Sequence, residues 1–409
     1  VARQGLRVFA SMQPCRQRIH QPHRALVYGF RLPQPSGNSL RCSARLVALT
    51  LLVARSGSTD VIHCGRLQRW MEHGGLSRGF WLHVPQSYCN GARGEVEVVP
   101  LVVALHCYGR TASTILDIFA AAAERHGLVV VAPEGVEKSF NAGACCGYAR
   151  EHNIDDENFI LALVRELLLE KPLVPGAQLS HSAVFAFGFN NGAFLASILG
   201  QRRAQFTGFA ALGGHTYDVN ASLLAKRKLA PKAVSLHWFV KDNMVSSRGC
   251  CDAYPCCCDI VDNWDRECVA TEDMFHYWKV RNRCMNTSTV ELRPGVTCKQ
   301  GTQGCSRPVQ YCKYALGYHQ LWITTFEDAD MVAKDFVKAS CGRKGVWQDD
   351  GQKFICKCRR GAHGKFCLAT DSVHRTPLVL TTNLVVFAIV VLLALCWRCS
   401  FRSKAKPLE

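Results

Sequence analysis

The sequence predicts an α/β fold in which helices cover both faces of a mostly parallel sheet. Two observations support this prediction: apolar strand-like runs alternate with helical segments, and one strand-to-helix junction carries glycines spaced for a sharp turn. With 409 residues, of which 48% are hydrophobic, the chain can bury one large core and still hold a smaller module.

The central part of the chain divides into alternating strands and helices. The predicted strands are 96–105 (interrupted at Pro100), 127–132, 183–187, 209–212 and 234–240. The predicted helices are 112–124, 159–169 and one that begins at Ala193. Helices that follow strands in this order favour a sheet whose strands run mostly parallel.

The junction after strand 183–187 reads Gly188-Phe189-Asn190-Asn191-Gly192. It has the spacing of the nucleophile elbow of α/β-hydrolases, Gly-x-Ser-x-Gly, in which small residues allow a strained turn to bring backbone close to backbone. Both glycines are present, but Asn190 stands at the nucleophile position. The sequence therefore predicts an α/β-hydrolase fold with a carboxamide at the centre of its site.

Candidates for the other catalytic groups follow in the expected order. Asp242 comes after strand 234–240, and His319 comes later, as the acid and the histidine do in α/β-hydrolases. Segment 105–109 closes the first strand at the place where an oxyanion-hole loop belongs. The candidate oxyanion-hole residues are Cys107, Tyr108 and Asn191.

Longer segments carry a family resemblance. Residues 139–149 and 153–160, together with 105–107, 188–193 and 318–322, resemble secreted feruloyl esterases and polyhydroxybutyrate depolymerases over 80–336. The resemblance implies an α/β-hydrolase that cleaves carboxylic esters without a metal or cofactor. It places the catalytic triad on Asn190, Asp242 and His319.

Asparagine cannot replace the nucleophilic serine. Its amide nitrogen is barely nucleophilic, and it offers a histidine no hydroxyl proton to remove. Losing such a nucleophile costs about 10⁶ in kcat. Cys107 is the nearby thiol that could substitute, although a disulfide is the favoured interpretation of this cysteine, and deamidation of Asn190 would create a carboxylate nucleophile.

The cysteine content indicates an oxidising compartment, because 19 of the 23 cysteines lie between Cys64 and Cys367. The cluster at 250–258 is interpreted as disulfide partners rather than a metal site. Residues 356–367 resemble the last loop of an EGF-like module, which implies disulfides at Cys341, Cys356, Cys358 and Cys367. Two sequons, at Asn220 and Asn286, are candidate glycosylation sites.

Two apolar segments frame the chain. Residues 46–54 have the length and flanks of a signal-peptide core. Residues 378–397, followed by basic residues, predict one transmembrane helix with its ectodomain outside the cell or in a lumen, the alternative being a buried core helix. The predicted parts are an N-terminal extension with signal peptide (1–56), an esterase-like domain (57–338), an EGF-like module (339–370), the membrane helix (378–397) and a basic tail (398–409).

The charge of +17 does not indicate a nucleic-acid-binding protein. Eight arginines and no acidic residue lie in 1–45, and the segment after Trp397 is also basic, whereas the rest carries no basic stripe. The expected partner is an ester-bearing polymer, a small ester or a protein ligand. Three hypotheses follow: an impaired esterase that binds such a ligand, an active carboxylesterase on phenolic or hydroxyacyl esters in which Asn190 is a sequence error or is bypassed, and adhesion through the EGF-like module.

Overall fold

The computed structural model describes residues 63–90, 96–143, 145–170, 173–214, 230–242, 245, 247, 270–315, 326–341, 345–349 and 354–370. All of them fall within one compact unit, Val61–Glu409. Within these ranges no helix combines the length and the apolar character that crossing a bilayer requires. The predicted signal peptide, membrane helix, cysteine cluster 250–258, Asn220 and His319 lie outside the described residues.

A ten-stranded sheet forms the centre of this unit, in the order β1-β2-β4-β3-β5-β6-β7-β10-β9-β8. Its strands are β1 (Gly65–His73), β2 (Leu76–Val84), β3 (Glu97–Leu105), β4 (Val129–Pro133), β5 (Ala177–Phe189), β6 (Gly208–Leu212), β7 (Ala233–Phe239), β8 (Asn286–Arg293), β9 (Val296–Thr302) and β10 (Val309–Tyr314).

The six strands from β4 to β10 in this order run parallel, so the prediction of a mostly parallel sheet is confirmed. In β3 the register shifts between Val99 and Leu101, because Pro100 has no N–H to donate to the ladder. The hairpin β1–β2 and the pair β8–β9 add antiparallel strands at the two ends of the sheet, which sequence patterns did not predict.

Helices cover both faces of the sheet, as predicted. They are α1 (Ser87–Asn90), α2 (Ala112–His126), α3 (Gly147–Glu151), α4 (Asp156–Leu169), α5 (Asn191–Arg202), α6 (Thr271–Arg281) and α7 (Phe326–Ser340). On one face, Phe185 of β5 stacks on Phe336 of α7, with ring centroids 4.6 Å apart. On the other face, Phe209 of β6 packs against α5 at Gly200 and meets Trp278 of α6 edge-on.

Two small hairpins follow α7. They are β11 (Gly345–Asp349) with β12 (Phe354–Cys358), and β13 (Ala362–His363) with β14 (Ala369–Thr370). Disulfides join Cys341 to Cys356 and Cys358 to Cys367. The other disulfides among the described residues are Cys64–Cys89, Cys145–Cys146, Cys284–Cys305 and Cys298–Cys312. Phe366 of this module is 1% exposed and belongs to the same apolar core as the sheet.

Candidate functional site

Asn190 lies at the sharp turn between β5 and α5, with φ 50° and ψ −115°. A positive φ is uncommon for residues other than glycine, and asparagine is among the side chains that tolerate it best. The backbone N–H of Asn190 donates to the carbonyl oxygen of Leu212, which joins the turn to the end of β6. The strained turn that the sequence predicted at this position is therefore present.

Three glycines allow the elbow to form. A Cβ on Gly188 would lie 2.1 Å from the carbonyl oxygen of Gly192, and one on Gly192 would lie 2.2 Å from that of Leu105. Gly214, which follows β6, would place a Cβ 2.4 Å from Ala193 Cβ. The first two glycines are those of the sequence pattern. The need for glycine at position 214 follows only from the packing of the segment after β6 against the elbow.

The structure brings Cys107 to the elbow. Its Sγ donates to Asn190 Oδ1 at 3.5 Å, and Asn190 is only 6% exposed. Tyr108, the next residue, is 52% exposed, and its ring packs against Gly147, where a Cβ would lie 2.3 Å from Tyr108 Cε2. Two segments predicted separately thus meet at the elbow.

His106 holds the loop after β3 in place. Its Nδ1 donates to the carbonyl oxygen of Cys107 at 2.9 Å, and its Nε2 accepts from the N–H of Gly135 at 2.9 Å. These contacts require a neutral imidazole with its proton on Nδ1. Burial lowers the pKa of His106 to about 4, so the ring stays neutral at physiological pH. His106 therefore serves as a structural link and not as a base.

Asn191 was predicted to belong to the oxyanion hole. Its side chain is fully buried and makes two hydrogen bonds to the backbone of Phe140. Oδ1 accepts from the Phe140 N–H at 2.7 Å, and Nδ2 donates to the Phe140 carbonyl oxygen at 2.9 Å. Its backbone N–H lies in the first turn of α5, where N–H groups have no partner within the helix. That position suits a donor to an oxyanion, while the side chain fixes the neighbouring loop.

Residues 153–160, which carried part of the family resemblance, have a supporting role. Asp156 Oδ1 accepts from Arg78 Nη2 at 2.5 Å, and its Oδ2 accepts from the N–H of Asn141 at 2.7 Å. The Arg78 guanidinium lies over the ring of Phe159, 3.9 Å from its centroid. This buried ion pair joins β2 to α4, and Asp156 also holds the loop to which the Asn191 side chain is hydrogen-bonded. The pair therefore positions one wall of the site.

Asp242 follows β7 at the same edge of the sheet as the elbow. Its N–H donates to the Phe239 carbonyl oxygen at 3.1 Å, and its Oδ1 accepts from the Val245 N–H at 2.8 Å. Since β5, β6 and β7 are parallel neighbours, their carboxyl ends lie along one edge, with β5 and β7 roughly 10 Å apart. The structure therefore places Asn190 and Asp242 on one edge of the sheet, and their roles as nucleophile position and acid stay predictions.

Sequence reasoning missed a buried polar network between β7, β10 and α7. Ser235 Oγ lies 2.7 Å from His237 Nε2 and donates to Asp335 Oδ2 at 3.2 Å. His237 Nδ1 lies 2.9 Å from the Tyr314 hydroxyl. Burial lowers the pKa of His237 to about 3 and raises that of Asp335 to about 6. The spacing of these residues along the sequence does not predict this network, because Asp335 is 100 residues from Ser235.

The sulfur atoms of Cys341, Cys356 and Cys367 lie within 4.8 Å of one another. Thiolates so grouped could hold a metal ion. All three belong to disulfides in this structure, so the cluster is a set of crosslinks.

No family model and no curated protein matches this chain. Similar solved structures include an acetyl xylan esterase from Aspergillus awamori, with 13% identity, a TM-score of 0.43 and coverage of 66% of this chain and 99% of that one. An S-formylglutathione hydrolase from Staphylococcus aureus has 12% identity, a TM-score of 0.39 and coverage of 68% and 99%. A ferulic acid esterase has 10% identity, a TM-score of 0.40 and coverage of 68% and 100%. At these scores the fold class rests on the strand order and the elbow.

Proposed function

We propose that this protein has the scaffold of a carboxylic ester hydrolase, binds an ester-bearing ligand and hydrolyses it very slowly or not at all. The observation that supports this proposal is the elbow itself. The turn with its two flanking glycines and an acid candidate at the same edge of the sheet are present, whereas the side chain at the turn is the carboxamide of Asn190.

Hydrolysis by this scaffold needs a nucleophile that can lose a proton as it attacks the ester carbonyl. The amide of Asn190 has no hydroxyl proton, and its nitrogen lone pair is delocalised into the carbonyl group. Loss of the serine in such a site removes about 10⁶ of kcat and leaves roughly 10³ to 10⁴ over water from binding and oxyanion stabilisation. That remainder would not sustain a useful turnover.

Binding of an ester requires fewer chemical groups than its hydrolysis does, because no nucleophile is needed. Asn190 has Cys107 beside it and the half-exposed Tyr108 follows in the same loop, and α5 begins at the elbow, where the first N–H groups of a helix have no partner within the helix. A carbonyl oxygen could accept from such N–H groups without any reaction. The ligand in this proposal is an ester-bearing polymer, a small ester or a protein that presents an equivalent carbonyl.

The proposed location is the outside of the cell or a lumen, with residues 378–397 as a single membrane anchor. Disulfides support an oxidising compartment, since the described residues contain six of them. The EGF-like identity of the module after α7 is part of the same proposal, supported by the pairs Cys341–Cys356 and Cys358–Cys367.

The proposal is tested by hydrolysis of a chromogenic short-chain ester. The purified disulfide-bonded protein is compared with Asn190→Ser, with Asn190→Ala and with Asn190→Ser combined with His319→Ala. We expect background rates for wild type and Asn190→Ala, a gain of at least about 10³ for Asn190→Ser, and loss of that gain in the double variant.

Two outcomes would contradict the proposal. Wild-type turnover that His319→Ala abolishes would show an active carboxylesterase, and Cys107→Ala would then tell whether the thiol next to Asn190 is its nucleophile. A folded Asn190→Ser variant without turnover would show that the rest of the site has also lost its esterase geometry. Binding inferred from that geometry would then have no basis.

A further inference from the structure

The strand β8 lies at one end of the sheet and pairs with β9 alone among the described strands. Its side chains are exposed along nearly its whole length, including Val290 at 39% and Leu292 at 42%. Such an edge presents a row of N–H and C=O groups to solvent and can pair with a strand from another molecule. Native proteins usually have features that prevent such pairing at an exposed edge strand.

The two halves of β8 differ in how they are protected. In the second half, the register shifts between Glu291 and Arg293, and both residues carry charges that discourage edge-to-edge pairing. The first half, 286–290, has the sequence Asn-Thr-Ser-Thr-Val and pairs regularly with β9. It contains no proline, no charge and no bulge, so none of the usual devices protects it.

A sequon coincides with this unprotected half. Asn286, Thr287 and Ser288 form the Asn-x-Ser pattern of an N-glycosylation acceptor, and the side chain of Asn286 is exposed. Asn286 Nδ2 donates to Gln303 Oε1 at 2.7 Å. An amide nitrogen has two hydrogens, so one can be replaced by a sugar while the other keeps this hydrogen bond.

We propose that Asn286 carries an N-linked glycan and that this glycan shields the β8 edge against pairing with a second copy of the chain. In the transfer, the bond between sugar C1 and the diphosphate of a polyprenyl-linked oligosaccharide breaks. The bond between C1 and Asn286 Nδ2 forms, the amide loses one proton, and the polyprenyl diphosphate leaves.

The surroundings of Asn286 agree with this assignment. Disulfides join Cys284, two residues before Asn286, to Cys305, and Cys298 of β9 to Cys312 of β10, so the segments around Asn286 are crosslinked. Crosslinks of this density form in the oxidising compartments where N-glycans are added. The shielding role rests on the proposed extracellular or lumenal location but not on the proposed ester chemistry, because four strands separate β8 from β5 and the elbow.

The modification is tested on the full chain expressed in eukaryotic secretory cells. Glycans are removed enzymatically in heavy-oxygen water, and the peptide that contains Asn286 is examined by mass spectrometry. We expect the isotopic label at Asn286 in wild type and in Ser288→Thr, which keeps the sequon, and its loss in Ser288→Ala. An unlabelled Asn286 in the wild-type chain would overturn the proposal.

The shielding role is tested on the same variants by light scattering during size-exclusion chromatography at increasing concentrations. We expect Ser288→Ala to self-associate at concentrations at least about tenfold lower than Ser288→Thr, and Val290→Lys in the Ser288→Ala background to restore the monomer. If Ser288→Ala and Ser288→Thr self-associate alike, the glycan does not protect the edge. If Val290→Lys has no effect on the association, the contact is not made through β8.

Discussion

The backbone at Asn190 is determined by its neighbours rather than by its own side chain. A Cβ on Gly188 or Gly192 would lie only 2.1 or 2.2 Å from a backbone oxygen, so the two positions that flank the turn at φ 50° accept only glycine without a shift of the backbone. Asparagine accepts this conformation at little cost. The backbone conformation of the elbow is therefore compatible with an asparagine at position 190.

Replacement of Gly188 by alanine tests this interpretation. Because the new Cβ would meet the backbone of Gly192 at 2.1 Å, the elbow would have to open, and we expect the free energy of unfolding to fall by about 3 kcal/mol. Urea denaturation measures this change.

Gly74→Ala is the matched control, since nothing lies within 4 Å of a Cβ there and only the φ of +60° opposes the substitution. We expect Gly74→Ala to lower the free energy of unfolding by about 1 to 2 kcal/mol. Equal losses for Gly188→Ala and Gly74→Ala would mean that the close contacts at the elbow do not constrain the fold.

At the scale of elements, the disulfide module is attached to the sheet domain through its last loop. Phe366 is 1% exposed, and a Cβ on Gly127 would lie 2.7 Å from Lys365 Nζ. This ammonium group lies at the C-terminal end of α2, where a positive charge is favourable. Burial lowers the pKa of Lys365, with Glu97 acting in the opposite direction. The module is therefore packed against α2 as part of the main core.

Replacement of Phe366 by alanine tests this attachment. We expect a loss of about 3 to 5 kcal/mol in the free energy of unfolding and a single transition in which the module and the sheet domain unfold together. Near-ultraviolet circular dichroism and hydrogen exchange in β3 and β5 report on the sheet domain. Destabilisation confined to the module, with an unchanged transition of the sheet, would indicate independent folding and would favour adhesion through a separable module.

At the scale of the whole molecule, buried histidines make stability depend on pH. Burial lowers the pKa of His106 to about 4 and that of His237 to about 3, whereas both are near 6.5 in an unfolded chain. The unfolded state therefore binds more protons between these values, and stability rises with pH up to about 6.5. Asp335 acts in the opposite direction, because burial raises its pKa from 3.8 to about 6.

We expect the free energy of unfolding to fall as the pH is lowered from 6.5 to 4, with His106 alone contributing about 3 kcal/mol. In this range His106 and His237 together outweigh Asp335; burial also lowers the pKa values of His83 and His126, which act with the two histidines, and raises those of Glu134 and Asp156, which act with Asp335. Asp335→Asn removes the opposing contribution and should make the fall steeper. Urea denaturation at half-unit pH steps measures both proteins, and wild-type stability that stays level or increases on acidification would contradict this account.

Much of the fold was predictable because it follows from local patterns. The apolar runs in β3, β4, β6 and β7 are short and continuous, as expected for strands buried on both faces. The hairpin β1–β2 has alternating exposure in β1 and lies at the sheet's end, so its sequence shows a weaker apolar signal. The antiparallel strands at both ends were missed for the same reason.

The sequence alone determined the α/β alternation, the glycine-flanked turn that carries Asn190, and the four cysteines of the C-terminal module. These features depend on periodicity, on glycine spacing and on residue type, which act over a few positions along the chain. Only the tertiary structure decided that Cys107 contacts Asn190, that His106 is a neutral link, and that a polar network joins β7 to α7. Such contacts join residues separated by 29 to 100 positions, and the burial that sets their pKa values arises only when the sheet and its helices pack together.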